Sequence, residues 1–240
     1  MSALATPVVL VHGGGFAGSC WDRLLEHLAG PVLAVDLPGR GRHPAELSSV
    51  TLESAAASVV ADIDAAGFDE VVLAGHSLAG CSMPAAIGLL GDRVRHAVFI
   101  ACTVPEDGTT CMDTLPADIR ALADRPANAE RGELGLLPAD MARAMFAGDL
   151  DDEQIEWMLA RMVPEAPGLT FEKVDLSPLR TAMPRTWVRT LQDAVVPPDR
   201  QTRFVRNVGN CHVIDLDAAH MCMISQPEAL GGILNRIAAA

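Results

Sequence analysis

The stretch Val71-Val-Leu-Ala-Gly75-His-Ser77-Leu-Ala-Gly80 constrains this chain more than any other. An apolar run meets a serine flanked by small residues, and a helical pattern from about Leu78 to Leu90 begins at once. A strand that turns directly into a helix leaves little room at its corner. The flanking residues must therefore be small, and the corner residue must accept a strained backbone. A serine in that place carries its hydroxyl exposed above the edge of a sheet. The usual spacing is G-x-S-x-G; here Ala79 takes the last position and Gly80 follows it, a mild departure because alanine is still small. Set between a β run and a helix, the string outweighs the reading of an ordinary buried turn serine.

The rest of the chain extends this unit. Val8–Val11 is a short apolar run ending in His12-Gly-Gly-Gly15, with a helical pattern from about Ser19 to Leu28. Pro31–Val35 leads into the turn-rich loop Asp36–Gly41, and Leu52–Ala65 reads as a helix with Thr51 as N-cap and Gly67 as stop. Glu70–Ala74 and Arg95–Ala101 read as strands on either side of the helix after Ser77. Short apolar strands alternating with helices imply βαβ units and a parallel sheet. The alternation lapses from Thr103 to Arg180, where helical patterns occur at Ala139–Phe146 and Asp152–Met162, with prolines and no convincing strand. It resumes with Arg185–Leu191, Cys211–Leu216 and a helix from about Pro227 to Ile237. The expected fold class is α/β, a six-stranded mostly parallel sheet with helices on both faces. Residues 1–102 and 181–240 form the two parts of the core, interrupted by the mostly helical insertion of residues 103–180.

Composition removes several functions. The 18 basic and 31 acidic residues give a net charge of −13, which argues against nucleic acid and anionic membrane as partners. There is no tyrosine, which excludes Tyr–Lys chemistry. The only lysine, Lys173, follows no Gly-rich loop, so a P-loop is excluded too. A Schiff base would have to rest on Lys173, which reads instead as a solvated charge. The six cysteines show no C-x-x-C, and no H-x-H or H-E-x-x-H spacing points to a metal. No basic leader and no apolar run of about 18 residues appears, so a cytoplasmic protein with reduced thiols is expected.

A serine hydroxyl needs a general base, and the base needs an acid to orient it. His220 follows the run Cys211–Leu216, and Asp193 follows Arg185–Leu191. Both lie just past strand ends, where a parallel sheet gathers its functional groups. Asp215 and Asp217 are alternative acids, but they sit on the strand that already supplies the histidine. His76 adjoins the serine and reads as a packed core histidine, while His27, His43, His96 and His212 read as surface or structural. Developing oxyanion charge would be met by the N–H groups of Leu78 and of Gly14, within the glycine run that lets the backbone approach closely. A phosphate-cradling reading of that run lacks the G-x-G-x-x-G register, and Asp36 is a poor dinucleotide acid.

With these residues placed, the chain resembles the α/β-hydrolase superfamily. It is most similar to the small group of plant methylesterases, hydroxynitrile lyases and their bacterial relatives. The resemblance rests on Val9-Leu-Val-His-Gly13 with Cys20-Trp21, on Gly75-His-Ser-Leu78, on Leu191-Gln-Asp193-Ala-Val-Val-Pro197, and on Ala219-His220-Met221 before Ser225-Gln-Pro227. It implies that the insertion, residues 103–180, is a helical cap, and that the protein is a serine esterase without cofactor, acting on a small carboxylic ester such as a methyl ester or lactone. Lyases of that group carry a threonine after the first histidine and a lysine after the catalytic one. Gly13 and Met221 stand here, which favours the esterase branch. The His12–Phe16 string is also similar to hormone-sensitive-lipase-like esterases, but those are longer and have a different elbow. Asp36–Arg42 and the cap diverge from the plant enzymes, so hormone specificity is not implied. Gly13, Met145, Phe146, Trp157, Met158 and Met221 are the expected pocket walls, around an apolar or aromatic acyl group. Two other classes stay open: a lyase or cofactor-free cyclase using His220 as base, and a ligand-binding receptor-like protein. A homodimer is the assembly considered.

Overall fold

The structure, a computed structural model, describes residues 5–115, 117, 120–121 and 132–240. Strands β1 (Val8–Val11), β2 (Val32–Val35), β3 (Val71–His76), β4 (Val94–Ile100), β5 (Arg185–Thr190) and β6 (His212–Leu216) form one sheet. Its order is β2-β1-β3-β4-β5-β6, and every neighbouring pair is parallel. β3 runs two residues beyond its expected end, because Gly75 and His76 still pair with Phe99 and Ile100 of β4. That extension delivers Ser77 to the sheet's upper edge.

Alternating side chains divide the interior into two layers. Val9, Leu73, Phe99 and Trp187 face one side. There they meet α2 (Leu52–Ala65) and α3 (Ala79–Leu90), together with Phe204 and Val208 of α7 (Pro198–Val208). Val8, Leu10, Val72, Val98 and Val188 face the other side, against α1 (Asp22–Leu25) and α9 (Pro227–Ala238). β1 and β3 are buried on both faces, which is why they read as continuous apolar runs rather than alternating ones. Thr51 caps α2 as expected: its hydroxyl accepts Ser54 N–H at 2.9 Å, and Ser54 Oγ accepts Thr51 N–H at 2.9 Å.

Several elements differ from expectation. The pattern at Ser19–Leu28 is a 3-10 turn, Gly18–Trp21, followed by the single turn α1; His27 and Leu28 N–H then bond to carbonyls three residues back. Between β4 and β5 lie α4 (Ala139–Phe146), α5 (Asp152–Leu159) and the short α6 (Gly168–Phe171). α5 stops before Met162, as Arg161 N–H bonds to Met158 O in a tightened last turn. Among the described residues this segment has no strand, only isolated bridges at Thr110–Lys173 and Leu134–Glu165. α7 was not anticipated, and α8 (Cys222–Ser225) lies between β6 and α9. Among the described residues no helix is long and apolar enough to cross a membrane.

Candidate active site

Ser77 sits at φ +54°, in the left-handed region that a non-glycine residue occupies only under constraint. Its backbone is tied on both sides: Ser77 N–H donates to Ile100 O at 3.1 Å, and its carbonyl accepts from Thr103 N–H at 2.9 Å and Gly80 N–H at 3.1 Å. A Cβ on Gly75 would overlap Met83 Sδ and come within 3.0 Å of Ala79 Cβ. A Cβ on Gly80 would overlap Thr103 O and lie 2.9 Å from Cys102 Cβ. The loop after β4 thus passes closest at position 80, which explains why the motif's glycine stands there while alanine is accommodated at 79.

The structure brings Ser77, His220 and Asp193 together. Ser77 Oγ lies 3.0 Å from His220 Nε2, and His220 Nδ1 lies 2.8 Å from Asp193 Oδ2. An ionised carboxylate only accepts, so Nδ1 carries the proton and Nε2 is left to accept from the serine. Asp193 Oδ1 accepts Val195 and Val196 N–H, each at 2.8 Å, and Oδ2 also accepts the Thr190 hydroxyl at 2.8 Å. Burial pushes this carboxyl up. The charge and hydrogen bond of His220, with Val196 N–H and Thr190, outweigh that push and hold it below the usual carboxylate range. The rival acids are engaged elsewhere: Asp215 pairs with Arg189 at 2.7 Å, and Asp217 accepts Gln192 Nε2 at 2.7 Å.

Thr190 and Gln201 are contributors that sequence reasoning missed. Gln201 Nε2 donates to Thr190 Oγ1 at 2.9 Å, to Thr190 O at 2.9 Å and to Val196 O at 2.8 Å, while its Oε1 accepts Trp187 Nε1 at 3.0 Å. One buried amide therefore braces both arms of the loop that carries Asp193. An inward polar residue in step with Phe204 and Val208 was the available signal.

The histidines beside the triad are structural. His76 is buried and donates from Nε2 to His220 O at 2.9 Å, fixing the backbone of the histidine loop. Burial, with the charge of His220, drives its pKa down to about 3. His12 accepts Leu37 N–H at Nε2 at 3.1 Å and faces Gly13 O from Nδ1 at 2.9 Å. Burial, then the charge of Arg40, brings it to about 3.

The glycine loop lies against the elbow. A Cβ on Gly13 would be 2.9 Å from Ser77 Cβ, and one on Gly14 would be 2.9 Å from Leu78 Cδ2. Among the described residues, neither Gly14 N–H nor Leu78 N–H has a protein acceptor. Gly15 follows at φ +73°, in the left-handed region that favours glycine. Sequence reading also passed over Arg40 and Glu165, whose buried ion pair lies behind this loop.

Of the expected walls, Phe146 stacks on the His220 ring at 5.7 Å and meets Phe16 edge-on at 5.9 Å. Met158 and Met221 are fully buried in the same apolar cluster, with Met145 half-buried against it. Trp157 is half-buried against that cluster too. Its ring also lies under the guanidinium groups of Arg161, 3.8 Å away, and Arg23, 5.2 Å away, beside an open surface hollow of about 640 Å³ that no triad residue borders. Cation–π attraction holds the ring there. Among the described residues no group of three or more His, Cys, Asp or Glu side chains is disposed to hold a metal ion.

The chain matches the model of the alpha/beta hydrolase family over residues 8–231. It is 27% identical over 252 residues to putative methylesterase 12, chloroplastic, of Arabidopsis thaliana, covering 96% of this chain and 71% of the relative. It is 28% identical over 251 residues to polyneuridine aldehyde esterase of Rauvolfia serpentina, covering 92% of this chain and 90% of that one. An extracellular alpha/beta-hydrolase from a Paenibacillus species shares the fold, with a TM-score of 0.86 at 22% identity over 97% of this chain and 98% of the other. Sheet and family model agree: the chain belongs to the alpha/beta hydrolase family.

Proposed function

We propose that this protein is a serine esterase that cleaves a small carboxylic ester through an acyl-enzyme on Ser77. The observation that carries the reading is the unbroken relay from Ser77 Oγ through His220 to Asp193, at 3.0 and 2.8 Å, with the serine on a strained corner. Ser77 Oγ attacks the ester carbonyl as its proton passes to His220 Nε2. The tetrahedral oxyanion takes hydrogen bonds from Gly14 and Leu78 N–H, each worth about 3–4 kcal/mol to the transition state. Collapse expels the alkoxide, which takes the proton back from His220. Water, deprotonated by the same imidazole, then attacks the acyl-enzyme and releases the acid. Asp193 stays ionised throughout and holds Nδ1–H in place.

Residues 103–180 act as a cap over this site in our reading. Phe16, Met145, Phe146 and Met221 favour an apolar or aromatic acyl group, and the methylesterases among the relatives favour a methyl ester over a longer alkyl ester. A fluorophosphonate is expected to label Ser77 in the folded protein, and Ser77→Ala to abolish both labelling and turnover across aryl, alkyl, methyl and lactone esters. An unlabelled Ser77 ends this account; turnover that survives Ser77→Ala transfers the chemistry to His220 as base.

A further inference from the structure

The peptide units that follow Gly14 are held from distant parts of the chain. Gly15 N–H donates to Glu165 Oε2 at 2.8 Å, and Val163 N–H donates to Gly15 O at 2.9 Å. Arg40 Nη1 donates to Phe16 O at 2.8 Å, and the same guanidinium pairs with the Glu165 carboxylate. Glu165 Oε1 also accepts Ala166 N–H at 2.7 Å. A Cβ on Gly14 would lie 3.3 Å from Glu165 Oε2, so the carboxylate stands beside the residue expected to stabilise negative charge.

Arg40 and Glu165 are 5% and 8% exposed. Two buried opposite charges lose hydration that their attraction barely offsets, and apolar side chains of similar volume commonly hold a fold as well. Arg40 Nε is moreover buried with no partner. As a stability device the pair is poor. It does two things that leucine and methionine cannot. It aims an acceptor at Gly15 N–H and a donor at Phe16 O, and it keeps the carboxylate neutralised next to a developing oxyanion.

We infer that Glu165 and Arg40 are positioning residues of the oxyanion loop: the segment between β4 and β5 sets the aim of Gly14 N–H through Gly15, and Arg40 cancels the charge of the carboxylate that does so. The inference rests on the esterase reading for its kinetic consequence, but not for the loop geometry itself.

The experiment compares wild type, Glu165→Gln, Arg40→Met and the double variant Arg40→Met/Glu165→Leu, using p-nitrophenyl acetate. The double variant should fold with a Tm near wild type yet lose about tenfold or more in kcat with KM within about threefold. Glu165→Gln retains an acceptor for Gly15 N–H and should keep most of the rate. Arg40→Met leaves a bare carboxylate, should lose the most, and should be partly rescued by adding Glu165→Gln. Affinity for a trifluoromethyl ketone, which forms a tetrahedral oxyanion on Ser77, should fall by the same factor as kcat/KM. A double variant of full activity, or an Arg40→Met not rescued by Glu165→Gln, overturns the inference. Amide hydrogen exchange at Gly15, read by NMR without turnover, should quicken about tenfold in the double variant as its acceptor is lost. Unchanged protection there overturns the inference whatever Ser77 does, whereas an unlabelled Ser77 defeats only the esterase reading.

Discussion

Four hydrogen bonds converge on Asp193, and only one of them comes from His220. The other three orient a carboxylate that burial alone would push toward neutrality. In Asp193→Asn an amide faces the imidazole, and its N–H₂ competes with Nδ1–H. The tautomer with the proton on Nε2 is then favoured, and that nitrogen no longer accepts from Ser77. By the behaviour of such triads in general, kcat should fall by about 10⁴ with KM little changed, as steady-state kinetics on an aryl ester would register. A loss below tenfold would mean that the acid does not govern the tautomer.

Besides packing Phe204 and Val208 into the core, α7 positions one buried polar residue. Gln201 joins Trp187 of β5, Thr190 at the end of β5 and Val196 past Asp193. Gln201→Leu leaves the Trp187 indole N–H and two carbonyls buried without partners, at about 1–3 kcal/mol for each unsatisfied group. The urea midpoint should drop by an amount equivalent to about 3 kcal/mol or more. Activity in the remaining folded protein should fall less than in Asp193→Asn. The same helix shows where sequence reading stops. β1, β3 and the elbow were legible, because burial on both faces writes an apolar run and a tight corner writes small residues. Asp193 and His220 were legible from chain order and from their place past strand ends. α7 was not: it opens on Pro197-Pro198, and one of its inward positions is glutamine, which breaks the apolar pattern. Arg40 and Glu165 stand 125 positions apart in loops without periodicity, so nothing local marks their pairing. For Trp157, helical spacing gives the face that packs on the core cluster, but not the two guanidinium groups that the ring also meets.

For the whole molecule, His12 and His76 govern the response to acid. Both fall from an ordinary value near 6.5 to about 3, chiefly through burial. The unfolded chain therefore takes up protons below about pH 6.5 that the folded chain refuses until about pH 3. Stability is fully present above pH 6.5 and is lost as pH falls toward 3, at about 1.4 kcal/mol per pH unit for each histidine. Asp193, held below its ordinary range, contributes with the same sign once pH drops below about 4. Urea midpoints should be level above pH 7 and fall steeply from pH 6 to 4, and His12→Gln should make that slope shallower. A midpoint unchanged from pH 7 to 4 would contradict it.

Asp149, in the segment between β4 and β5, accepts Ala219 N–H at 2.9 Å, next to His220, as Glu165 accepts Gly15 N–H beside Gly14. An engineer who replaced that stretch with its counterpart from a related scaffold would be removing two carboxylates that fasten the loops beside His220 and Gly14. A functional chimera has to import its own anchors at both feet, so the freedom to diversify this region is bounded by two carboxylates.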